Sequence, residues 1–374
     1  MMRTIFENYN FRKYNVFLIL CCTGAAVLGI LLIGSAKSDL QVRQIQGLVI
    51  GLVVMLAASL VDYHFILKFY WVIYAVSIAL LLLVRLFGDS GGGAKRWFEI
   101  GGLRFQPSEL VKILLILFYA QFIMKHRAAI NSLRMILACI VLILPPFYLI
   151  FDQPDLSTSI MILAIFGTVM FIGGLSYKVI LPVIALGVPA AILFFNLVIK
   201  EGQTILNDFQ QKRILAWLKP EEYASTEAYQ QLNSITAIGS GQLHGKGLNN
   251  NVISSVKNGN FISEAQTDFI FTIAGEELGF IGCCAIIILL FVIVLQCILI
   301  AARAKDEAGR IIAGGMAGLI GFQTFINIGV TTMLLPDTGL PLPFFSYGLT
   351  SLVSIFIGIG VCLNVGLQSH DLFE

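Results

Sequence analysis

The chain is expected to be an all-α polytopic membrane protein of about ten transmembrane helices, with a large extracytoplasmic loop between the seventh and the eighth. Three observations predict this. Of 374 residues, 57% are hydrophobic and 12% charged, whereas soluble domains carry about 25% charged residues. Apolar segments recur at 15–34, 46–62, 66–87, 107–124, 132–151, 157–175, 178–199, 269–301, 311–335 and 344–368, and a membrane helix needs about 20 such residues. Between the seventh and eighth of them the chain turns polar from 200 to 268. The whole of 1–374 reads as one membrane domain, and 200–268 as a loop carrying an interfacial helix.

Arg3, Arg12 and Lys13 precede the first apolar run. At about 19 residues that run exceeds the 7–15 of a signal-peptide core, so an uncleaved first span is expected. An even number of spans puts both termini on one side. Odd-to-even assignment places Arg3, Arg12, Lys13, Lys68, Lys125, Arg127, Arg134, Lys178, Arg303, Lys305 and Arg310 on the side of the N-terminus. The short loops opposite carry Lys37, Arg43, Lys95, Arg96 and Arg104. The positive-inside rule then makes both termini cytoplasmic.

Composition excludes several classes. A net charge of +2 gives no electrostatic footprint for nucleic acid. Cys21, Cys22, Cys139, Cys283, Cys284, Cys297 and Cys362 all lie in apolar runs without metal-ligand spacing and read as small buried hydrophobes. His64, His126, His244 and His370 are scattered singly, so no histidine-rich metal site is expected. GSGQLHGK lacks the spacing of a nucleotide-binding loop and follows no strand. No internal repeat supports an inverted-repeat transporter.

Four polar patches interrupt the apolar background. The first, RWFEIGGLRFQPSELVK, enters the fourth span from outside. Pro107 suits a first helical turn and Glu109 the positive helix end. Lys112 shares a face with Glu109, so the two either satisfy each other or present a cation to a cavity. The second, FDQPDLSTS, holds Asp152 and Asp155, and Asp155 is placed to cap the sixth span. The third is the long loop. Within it FQQKRILAWLKPEEY has an apolar face of Phe209, Ile214, Leu215, Trp217 and Leu218, which suits a helix in the membrane interface with Lys212, Arg213 and Lys219 near phosphates. The glycine-rich AIGSGQLHGKGL follows. The fourth, LLPDTGLPLPFFSYGLTSL, carries three prolines at membrane depth and is expected to be non-helical, buried in protein or lining a cavity.

All four patches fall on the external side, as does Asp268 at the mouth of the eighth span. An ionised Asp at a helix centre costs roughly 2.5–3.5 kcal/mol on insertion scales, and intramembrane acids mark function by default. Asp268, Glu276 and Glu277 stand together in TDFIFTIAGEELGFIG. An acid beside fixed cations, bordered by hydrocarbon, suits a lipid-linked diphosphate substrate.

These stretches, in this order from about Ala94 to Ser351, resemble the SEDS family (shape, elongation, division and sporulation), most closely its RodA branch. The resemblance implies a membrane glycosyltransferase that polymerises peptidoglycan strands from lipid II outside the cytoplasmic membrane. It also implies a class B penicillin-binding protein as partner. The family's essential acid maps onto Asp268, its QPSE-x-x-K motif onto Gln106, Pro107, Ser108, Glu109 and Lys112, and its tryptophan onto Trp97. Asp337 stands where the family has an apolar or small residue, and Leu349 replaces the second glycine of SYGG; both departures bear on loop geometry. The implied chemistry needs a base for the acceptor hydroxyl, assigned to Asp268. It also needs charge stabilisation of undecaprenyl diphosphate, from Lys112, Arg96, Arg213 or a divalent cation (Mg or Mn). Trp97, Gln106, Glu109 and Asp155 complete the expected substrate site. The alternatives are a lipid II flippase, a division-specific FtsW-like polymerase, or a scaffold for the penicillin-binding protein.

Overall fold

The computed structural model describes residues 9–91, 94–100, 103–153, 155–198, 208–249, 255, 259 and 261–369. Thirteen α-helices lie among them: α1 (Val16–Ala36), α2 (Ser38–Leu60), α3 (Tyr63–Leu67), α4 (Tyr70–Phe87), α5 (Pro107–Lys125), α6 (Leu133–Asp152), α7 (Leu156–Ile172), α8 (Tyr177–Val198), α9 (Asp208–Leu218), α10 (Tyr229–Ser240), α11 (Ile270–Ala302), α12 (Glu307–Thr331) and α13 (Leu349–Leu367). Eight of these (α1, α2, α4, α5, α6, α11, α12 and α13) are long and apolar enough to cross a membrane. The apolar helices α7 and α8 occupy the sixth and seventh predicted segments. Capping fixes several starts. The Asn15 side chain accepts from Leu18 N at 2.9 Å before α1, and Asp306 accepts from Gly309 N at 2.7 Å before α12.

The buried centre is α5, whose Val111, Phe118 and Ala120 are fully enclosed. Around it pack α4, α7, α12 and α13, and α13 lies along α2 while α12 lies along α11. A three-stranded antiparallel sheet, β1 (Asp89–Gly91), β2 (Ala94–Ile100) and β3 (Leu103–Phe105), precedes α5. Its register pairs Phe98 with Phe105 and Glu99 with Arg104. Hydropathy patterning did not predict this sheet, because strands of three to seven residues are too short to stand out beside spans of twenty.

Helix α11 is broken. Gly279 has φ +67°, so the helix stops after the two acids and restarts. The glycine-rich loop after α10 docks at the break: Lys246 N and Gly247 N donate to Glu276 O and Glu277 O, each at 2.9 Å, and Phe280 N donates to Gln242 O at 2.8 Å. Backbone groups released by the break thus find partners inside the protein, as bilayer depth demands. The same contacts explain Gly245, at φ +77°, where a Cβ would lie 2.2 Å from Glu277 O. Gly245→Ala is therefore expected to destabilise the fold by roughly 1–3 kcal/mol, read as a melting temperature several degrees lower in detergent.

At the end of the bundle opposite this loop, His64 ties three elements together. Its Nδ1 lies 2.9 Å from Asp62 Oδ1 and its Nε2 2.9 Å from Asp306 Oδ2. Tyr63 Oη donates to Asp306 Oδ1, and Gln368 Nε2 to Asp62 Oδ1. The hydrogen bond to Asp306, with Asp62 assisting against desolvation, raises the imidazole above its usual value. A raised histidine stabilises fully below about pH 6.5, and that contribution is lost as pH rises through the folded value. The melting-temperature gap between wild type and His64→Gln is accordingly expected to be larger at pH 6 than at pH 9.

Candidate active site

The four polar patches meet at one end of the bundle, as their sequence positions predicted. Hydrogen bonds link them. Trp217 Nε1 of α9 donates to Met333 O at 3.1 Å, Ser157 Oγ of α7 to Thr338 O, and Tyr347 N to Gln266 O at 2.9 Å. Gln106 N donates to Thr350 Oγ1 at 3.3 Å. Residues 332–348 form no regular element, as three prolines require.

Asp268 lies two residues before α11 at the centre of this junction, the residue half-buried and its carboxyl enclosed. Its backbone is held from α12, where Asn327 Nδ2 donates to Asp268 O at 2.8 Å and to Leu340 O at 2.7 Å. Its carboxylate borders Gly339, whose φ is +72°; a Cβ there would stand 3.2 Å from Asp268 Oδ2 and 3.8 Å from Arg213 Nη1. Burial pushes the carboxyl up to about 7, Asp337 pushes the same way, and Arg213 opposes; Glu264 and Asp155 add smaller upward contributions. A carboxyl raised toward neutrality suits a group that takes a proton and returns it.

Arg213 comes from α9, and its Nη2 lies 3.5 Å from Asp337 Oδ2. Buried Ile214 and Ala216 seat α9 on the protein. Lys212 is exposed, and Lys219 pairs with Glu222 at 3.1 Å. Trp217 thus bonds to the loop, and the side chain of Phe209 lies outside the described set. Arg96, on β2, reaches Asp155 Oδ2 at 3.9 Å and donates through Nε to Gln153 O at 3.1 Å. Asp155 is buried and caps α7, accepting from Thr158 N at 3.0 Å. Trp97 lies on β2 opposite Asp89.

Lys112 and Glu109 are 1% and 3% exposed at the side chain and bond to each other at 2.8 Å. The other Glu109 oxygen accepts from Ser351 Oγ at 2.8 Å, and Lys112 Nζ also donates to Gln323 Oε1 at 3.2 Å. Gln323 Nε2 in turn donates to Pro341 O at 2.9 Å. Lys112 and Glu109 thus satisfy each other, and Gln323 connects them to the 332–348 loop. The acids of α11 are likewise engaged: Glu276 pairs with Lys246 at 2.8 Å, and Glu277 accepts from Ser35 Oγ.

Sequence reasoning missed Gln323 and Asn327. They lie four residues apart on one face of an otherwise apolar helix, and that spacing was the available signal. Among the described residues no group of three or more His, Cys, Asp or Glu comes together as a metal would require.

The family model of the FtsW/RodA/SpoVE cell cycle proteins matches residues 14–371. The chain belongs to that family, the SEDS proteins. It is 34% identical over 352 residues to the peptidoglycan glycosyltransferase MrdB of Escherichia coli K12, covering 93% of this chain and 92% of that one. Rod shape determining protein RodA of Thermus thermophilus superposes with a TM-score of 0.71 at 27% identity, over 96% of this chain and 98% of that one. A chain from a peptidoglycan synthase complex, described as coordinating polymerisation and crosslinking, gives a TM-score of 0.78 at 28% identity, over 94% and 97%.

Proposed function

We propose that this SEDS protein is a peptidoglycan glycosyltransferase that polymerises lipid II into glycan strands at the outer face of the cytoplasmic membrane, in cell elongation. The observation that carries the reading is the junction itself: an acid raised to about 7, bordered by Arg213, at the mouth of a membrane helix where the four polar patches converge. Asp268 takes the proton of an N-acetylglucosamine 4-hydroxyl as that oxygen attacks C1 of the MurNAc diphosphate. The new C1–O bond forms with inversion, the bond from C1 to the diphosphate oxygen breaks, and undecaprenyl diphosphate leaves. Arg213 and Arg96 meet the leaving charge. Lys112 and Glu109 act by holding the 332–348 loop through Gln323 and the start of α13 through Ser351, and Trp97, Gln106 and Asp155 shape the entrance.

The excess of Lys and Arg in the loops of the opposite end supports placing both termini, and the His64 cluster, in the cytoplasm. The likeness to a chain of a synthase complex supports a class B penicillin-binding protein as partner. The 200–268 loop, with α9 beneath the headgroups, would receive the lipid-linked substrate. The test is to give lipid II to the purified protein, with its penicillin-binding protein, and to measure polymer and released undecaprenyl diphosphate. Both products are expected. No polymer, together with transfer of lipid II between the leaflets of a vesicle, would establish the flippase instead.

A further inference from the structure

Asp337 is unlike its surroundings. It is a carboxylate in the proline-rich loop, its side chain is 12% exposed, and it ion-pairs with Arg213. Backbone geometry fixes it there, since Gly339 N donates to Asp337 Oδ1 at 3.2 Å, a local turn that aims the carboxylate at α9. Helix α9 is anchored to the same loop by Trp217 and Met333. The Asp268 carboxylate and the Arg213 guanidinium both border Gly339, with Oδ2 and Nη1 at 3.2 Å and 3.8 Å from where a Cβ would stand. One cation thus faces two carboxylates.

Resting on the glycosyltransferase reading above, we infer that Asp337 is a positioning residue for the reaction: by engaging Arg213 it draws that cation's charge toward the loop and leaves Asp268 able to accept the acceptor's proton. The physical reason is competition. A guanidinium given wholly to one carboxylate holds it ionised and weakly basic, and one shared with a second carboxylate does so less. The groups that bear on Asp268 come from four places: Asp337 on the loop, Arg213 on α9, Glu264 on its own segment and Asp155 at the start of α7. Asp155 has Arg96 at 3.9 Å to offset it. Asp337 and Arg213 therefore form the adjustable pair.

The experiment measures polymerisation rate from lipid II against pH for wild type, Asp337→Asn, Asp337→Glu, Arg213→Gln and the Asp337→Asn/Arg213→Gln double variant, each checked by thermal melt. Asp337→Asn is expected to move the ascending limb to lower pH by about one unit and to lower the high-pH rate by roughly three- to tenfold, as a weaker base requires. Asp337→Glu restores the limb. In the Arg213→Gln background the same Asn substitution shifts the limb by clearly less. An unmoved limb in folded Asp337→Asn overturns the inference. So does an equal shift in both backgrounds, because Asp337 would then act on Asp268 directly and not through Arg213. Failure of the glycosyltransferase reading looks different: folded wild type would make no polymer at any pH.

Discussion

Asp268→Asn is expected to reduce lipid II polymerisation by about 10²–10⁴-fold, the range a positioned general base supplies, while raising thermal stability above pH 7. Both outcomes follow from one fact, the carboxyl raised to about 7. The unfolded chain ionises this group near 3.9. Between that value and 7 the folded state binds the extra proton, so stability falls as pH rises through the interval and the loss is complete above 7. An amide of the same shape removes that penalty, of a few kcal/mol at most. The melting temperature of the variant should match wild type near pH 3.5, below the unfolded value, and exceed it most at pH 8.5. A residue whose replacement improves folding and removes activity is placed for chemistry and not for structure.

The second large effect lies behind the site. Lys112→Ala leaves Glu109 buried beside Ser351 with its cation removed, and breaking a buried pair from one side costs about 3–5 kcal/mol. The 332–348 loop is expected to loosen with it, because Lys112 bonds to Gln323 and Gln323 holds Pro341 O. Polymerisation should fall together with the melting temperature. The double variant Glu109→Gln/Lys112→Met removes both charges at similar volume and should recover most of the stability. Recovery of stability without recovery of rate would locate a direct role for one of the two side chains at the substrate.

How far the sequence alone leads depends on the length scale of the signal. Spans were legible because twenty apolar residues have few readings in water, and each predicted apolar segment holds a helix. The gathering of four polar patches followed from counting spans, since odd and even loops must alternate between ends. Asp268 stood out as an acid at the mouth of an apolar span and Arg213 as a cation of the loop helix, and the two border Gly339. Asp155 was read as a cap and is one. What stayed hidden was partnership. Nothing in QPSELVK says that Lys112 reaches Gln323, 211 residues away, and a lone Asn327 in an apolar helix does not announce the two carbonyls it bridges. The break in α11 was invisible because Gly279 is one of 35 glycines in the chain, and only the docked loop gives its positive φ a purpose. Asp337 was noticed only as a departure; its pairing with Arg213 turns that oddity into a part of the site.

The central claim is that Asp268 accepts the proton in glycosyl transfer. Its most direct test is the pH dependence of polymer formation from lipid II by the purified protein with its penicillin-binding protein, from pH 5.5 to 9, beside Asp268→Asn. The account predicts a rate that rises through an apparent value near 7 in wild type and residual activity without that limb in the variant. A flat wild-type profile with chemistry rate-limiting, or a variant that polymerises as fast as wild type, would contradict it.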